Sequence, residues 1–132
     1  METEITKDII KKVEKIIELF DNYRGSSKII SDALKAVGKS QLEIAASEIN
    51  NNPDRDKLFY YIKHLPQKEK NIIKALMEFG RDFDIASKKD FEFYIKRTRL
   101  SGDHEIDDMI AKPLSKYLKR GLIKLNLIDQ IN

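Results

Sequence analysis

The 132 residues include no cysteine and no tryptophan, and only three prolines and five glycines. Without cysteine there is no disulfide, no thiolate metal site and no cysteine nucleophile, and the absence suits a reducing compartment. The glycines stand at least 13 residues apart, so neither a glycine-rich phosphate loop nor a dinucleotide fingerprint exists. No serine lies in a Gly-x-Ser-x-Gly elbow. No apolar run approaches the ~20 residues of a membrane span. The opening METEITKDIIKK has neither an uninterrupted apolar stretch nor a small-residue cleavage site, so it does not read as a signal peptide. A cytoplasmic protein with no membrane partner is expected.

What is present suits a folded chain. At 41% hydrophobic and 36% charged residues, the composition is far from that of a disordered segment. A chain of this length buries about two-thirds of its unfolded surface around one core. Net charge is +3: residues 1–52 hold 8 Lys/Arg against 9 Asp/Glu, and residues 53–132 hold 17 against 13. Dedicated nucleic-acid domains are usually more lopsided, so the balance favours no partner by itself.

Helical periodicity dominates. The segment from Leu65 to Asp84 reads as a helix opened by Pro66 and closed by Gly80. Its apolar residues Ile72, Ile73, Ala75, Leu76, Met77 and Phe79 sweep roughly 200° of the circumference, twice the stripe of a surface helix. It is expected to be a central post, at about 67–79, covered on two sides. Ahead of it, Ile5, Ile9, Ile10, Val13, Ile16, Ile17 and Phe20 mark an amphipathic helix from Thr6 to Asp21. A zipper would need about three to four heptads, so core packing is the better reading. Tyr23-Arg24-Gly25-Ser26 is read as its end, with Ser27 capping a second helix (Ile29, Ile30, Ala33, Leu34, Val37) that Gly38 terminates. Ser40-Gln41-Leu42-Glu43 has capping-box form and begins a short helix through Ala45, Ala46 and Ile49.

Asn52 and Pro53 cap and open the next helix, with Leu58, Tyr61, Ile62 and Leu65 on one face and Phe59 and Tyr60 pointing elsewhere. Beyond the central post, Ser87 is read as a cap with Asp90 three residues on. The helix it starts has Phe91, Tyr94, Ile95 and Thr98 on one face and Phe93 and Leu100 on the other. Two apolar sides imply either a second layer within the chain or a subunit contact. A short acidic helix follows from Asp103 to Ile110. The last helix, opened by Pro113, carries a stripe of Leu114, Tyr117, Leu118, Leu122 and Leu125. Gly121 interrupts that stripe at a propensity cost of about 1 kcal/mol, which makes sense where another backbone passes close by, the central helix above all.

Leu65-Pro66, Ala75-Leu76-Met77, Gly80-Arg81-Asp82-Phe83, Pro113-Leu114, Tyr117-Leu118 and Gly121-Leu122 together resemble a family of small bacterial proteins known only as a domain of unknown function. Its pattern reads LPE-x-x-x-x-x-LVALM-x-x-GRGD and then TPLLADYLEEGL. The likeness covers residues 57–125, with a fainter echo in Ile16-Ile17-Glu18-Leu19-Phe20-Asp21. It departs where Asp82 replaces the second glycine, and residues 26–52 have no counterpart. The resemblance implies an all-α domain and no activity.

Few residues suggest chemistry. His64 and His104 lack the Glu three positions before them that a helical di-metal site needs. His104 and Asp108, with Glu105 or Asp107, read either as a cation site or as a solvated helix start favoured by the dipole. Arg81, flanked by Asp82 and Asp84, reads as an anion or ligand contact, or as a loop arginine pairing with Asp84 or capping the last carbonyls. Lys112, Lys116, Lys119, Arg120 and Lys124 form a basic face, either solvated or set against a nucleic-acid backbone, with Lys96, Arg97 and Arg99 nearby.

The sequence therefore predicts an all-α, single compact domain of about six to seven helices: a helical N-terminal part (1–52), a family-like core (53–126) and a tail (127–132). The expected role is non-catalytic, with no cofactor or metal. It is protein binding or self-association through Phe59, Tyr60, Phe93 and Leu100. The alternative is nucleic-acid association through the basic face.

Overall fold

The computed structural model describes residues 5–44, 46, 52–82 and 88–125. Six helices stand in order among the described residues: α1 (Lys7–Ala36), α2 (Pro53–Lys63), α3 (Gln67–Arg81), α4 (Lys88–Arg97), α5 (Gly102–Ala111) and α6 (Leu114–Lys124). One further helical turn occupies residues 41–44, and there is no strand among the described residues. No described helix is long and apolar enough to cross a membrane.

Local chemistry sets most boundaries. The Thr6 hydroxyl accepts from the Ile9 amide at 3.2 Å and starts α1. Gly38, at φ +84, takes the left-handed conformation that ends it. Ser40 and Glu43 form the reciprocal capping box, 3.1 and 3.2 Å. Asn52 accepts from the amides of Asp54 and Arg55, with Pro53 in the first helical position. Ala45, Ile49 and the Ser87 cap lie outside the described residues.

Three sequence expectations are corrected. Tyr23-Arg24-Gly25-Ser26 does not end the first helix, because α1 runs unbroken for 30 residues. Tyr23 and Ser27 are buried along it, and that packing overrides the ~1 kcal/mol helix cost of Gly25. Gly80 does not close α3; it lies within the helix, whose C-cap is Asp82. And Leu100 does not share a helical face with Phe93, since α4 stops at Arg97.

The core sits around α3 as expected, with Ile72, Ile73, Ala75, Leu76, Met77, Phe79 and Gly80 all buried. Helix α6 covers one side in the most extensive packing of the molecule, and α4 covers another. Helix α1 packs on α2 and α6, while α2 leans on α5. At the α3–α6 contact the backbones nearly touch. A Cβ built on Gly80 would lie 2.7 Å from the Gly121 amide and closer still to the Tyr117 carbonyl. One built on Gly121 would lie 2.7 Å from the Leu76 carbonyl. Gly121 thus stands where another backbone passes, and that backbone belongs to α3.

Candidate functional site

Arg81 does not reach outward. Its Nε donates to Asp82 Oδ1 at 3.0 Å, and the Tyr94 hydroxyl donates to Asp82 Oδ2. Burial pushes the Tyr94 hydroxyl up to about 12, and its bond to Asp82 pushes the same way. Burial also opposes ionisation of Asp82, but the hydrogen bonds from Tyr94 and Arg81 outweigh it and hold the carboxyl below its ordinary value. The last carbonyls of α3 are capped from α6: Lys124 Nζ donates to Phe79 O at 2.7 Å and to Asp82 O, and Arg120 donates to Gly80 O. Cations at a helix C-terminus complement the dipole. Arg81 is therefore part of a structural knot. Residues 83–87, which follow it, lie outside the described residues.

That arrangement also corrects the basic face. Arg120 and Lys124 turn into the end of α3, and Lys112 Nζ reaches the Asp108 carbonyl. Lys116 and Lys119 are the two that stand exposed. The acidic segment is stitched to its neighbours: Arg55–Asp107 at 2.7 Å, Lys63–Asp103 at 3.2 Å, Lys74–Glu105 at 2.5 Å. The bond from Lys74 holds the Glu105 carboxyl low. His104 lies 3.6 Å from Asp108. No group of three or more potential metal ligands exists among the described residues.

The four expected contact residues separate. Leu100 is 1% exposed; its amide donates to Asn71 Oδ1 and its carbonyl accepts from Gln67 Nε2. It is a core residue that ties the α4–α5 link to α3. Phe93 is exposed on α4 with the Arg97 guanidinium 5.2 Å from its ring. Tyr60 is exposed on α2, stacked on His64 and edge-on to the half-buried Phe59. These are two separate clusters, not one surface.

Two open surfaces were not singled out from the sequence. The first is the outer half of α1 with its C-cap Val37, where Ile29 is 71% and Val37 70% exposed, followed by Leu42 at 82%. The 3.6-residue stripe predicted these positions as apolar, but periodicity does not show where the bundle stops covering a helix. The second is a groove of about 570 Å³ between α1 and α6, lined by Phe20, Pro113, Ser115, Lys116, Lys119 and Ile123, with Arg120 at its edge. Ile123 falls outside the leucine stripe of its helix, and that was the available signal.

Comparison with family models, curated proteins and solved structures finds no match for this chain.

Proposed function

We propose that this chain is a non-catalytic helical module that works by self-association, two copies pairing through the outer half of α1. The observation that supports the reading is the uncovered apolar stripe of Ile29 and Val37. These two residues are eight apart, about 12 Å along the helix, with the small Ala33 midway. An antiparallel pair centred on Ala33 sets Ile29 of one copy opposite Val37 of the other. Such a surface complements itself, as a two-fold interface requires. Large exposed aliphatic side chains in line mark association sites more often than isolated ones do.

Membership of the bacterial helical family is a part of this proposal that carries no activity. Seven positions of that pattern, Leu76, Met77, Gly80, Leu114, Leu118, Gly121 and Leu122, are core positions here, and packing accounts for those. The nucleic-acid reading is the weaker one, because Arg120 and Lys124 are engaged by carbonyls of α3.

Light scattering across a concentration series tests the proposal. A mass rising toward that of a dimer is expected, with Ile29→Asp and Val37→Asp each holding the protein monomeric at unchanged helicity. A monomer at every concentration, or a dimer indifferent to both substitutions, overturns it.

A further inference from the structure

We infer that the groove between α1 and α6 docks an acidic amphipathic helix of a partner protein. This is independent of self-pairing through the outer half of α1, since the two surfaces share no residue.

The floor is apolar: the edge of Phe20, the ring of Pro113, and Ile123, which is 59% exposed although it is a large aliphatic residue. The rim is basic. Lys116 and Lys119 stand exposed on α6, and neither meets a carboxylate among the described residues. From α1, the Arg24 guanidinium lies 5.0 Å from the Phe20 ring centre and brings a third cation to the same neighbourhood. The first turn of α6 adds to this field. It has no acidic residue and no side-chain cap, so no side chain of its own offsets the dipole there. Ser115, in that turn and lining the groove, has a buried hydroxyl with no hydrogen-bond partner among the described residues. Apolar floor, cationic rim and uncapped helix start match one chemistry: side chains that are aliphatic on one face and carboxylate on the flanks, the pattern of a helix laid in a groove.

Two other occupants fit less well. A phosphate backbone calls for a run of cations and gains nothing from Ile123, whereas two of the five basic residues of this region, Arg120 and Lys124, already serve the carbonyls of α3. The acidic helix of a second copy, α5, fits poorly as well. Of the acids on α5, Asp103, Glu105 and Asp107 are held by Lys63, Lys74 and Arg55.

Fluorescence anisotropy tests the assignment with a labelled synthetic helix of about four turns, roughly 14 residues, bearing leucines along one face and glutamates beside them. The comparison probes are the same peptide with lysines for the glutamates and a labelled DNA duplex. The glutamate peptide should bind, the lysine peptide should not, and added salt should weaken the complex. The double variant Lys116→Glu with Lys119→Glu should weaken it by roughly tenfold or more. Ile123→Asp should do the same, and both variants should keep the wild-type thermal transition because these side chains are exposed. Equal binding of the two peptides, binding that survives Ile123→Asp, tighter binding of the duplex, or no binding at all overturns the assignment.

Discussion

Gly80 and Gly121 face one another at the α3–α6 contact, and neither position has room for a methyl group: the nearest obstacles are the backbone atoms Tyr117 O, Gly121 N and Leu76 O. In an exposed helix interior, glycine to alanine is normally stabilising by up to about 1 kcal/mol. Here the sign should reverse. Gly80→Ala is expected to cost more than about 3 kcal/mol, because the obstructing atoms are backbone and both helices must separate. Gly121→Ala, whose neighbours include the mobile end of Leu76 beside one carbonyl, should cost about 2–3 kcal/mol. Gly25, helical and exposed on α1 with nothing within 4 Å, supplies the contrast: Gly25→Ala should stabilise by about 0.5–1 kcal/mol. Urea denaturation of the three variants reads all three signs. A neutral Gly80→Ala would mean that the two backbones do not meet.

The Asp82–Tyr94 pair predicts opposite pH limbs. Asp82 titrates below its ordinary 3.8 in the folded chain, so its contribution is present above that value and is lost as pH falls through the lower folded one. Tyr94 is raised from 10.0 to about 12. Its contribution is therefore complete below pH 10 and is lost as pH rises from there toward about 12. Asp82→Asn should flatten the acid limb of a stability–pH curve, and Tyr94→Phe the alkaline limb, each measured by denaturant midpoint. If both variants keep the wild-type curve, the pair is not formed in solution.

Lys124 should matter to stability through α3. Lys124→Met keeps an apolar stem near the Phe79 ring, from which Nζ lies 5.0 Å, but removes the donor to Phe79 O and Asp82 O. A loss of about 1–2 kcal/mol is expected, with faster amide exchange confined to the last turn of α3. Uniform exchange along α3 would count against the capping role.

Much of the fold could be read from residues whose role is local. Asn52-Pro53, Ser40 with Glu43, and Gly38 act within a few residues of themselves, and each does what its chemistry dictates. Gly121 was legible too, because a glycine within an apolar helical stripe gives up helix propensity and buried surface together, a loss that fits a place where a side chain has no room. The misreadings share one cause: Gly25, Gly80 and Leu100 were judged from their neighbours in sequence, and their states are decided by distant partners. Buried Tyr23 and Ser27 carry α1 through Gly25, the backbone of α6 accounts for Gly80, and Asn71 and Gln67 draw Leu100 inward. The basic face divides for the same reason. Five cations at helical spacing look like one strip until the end of α3 is placed beside two of them.

Helix α3 lies about midway along the described chain, yet its broadest contact is with α6, the last helix described. During synthesis, therefore, the leucine, isoleucines and phenylalanine of residues 72–79 must wait, partly uncovered, until residues 114–124 have cleared the ribosome. A chain stopped before that point should leave the α6-facing side of α3 bare, the kind of apolar surface on which chaperones and proteases act. Arrival of α6 is what closes the apolar surface of α3 on its broadest side.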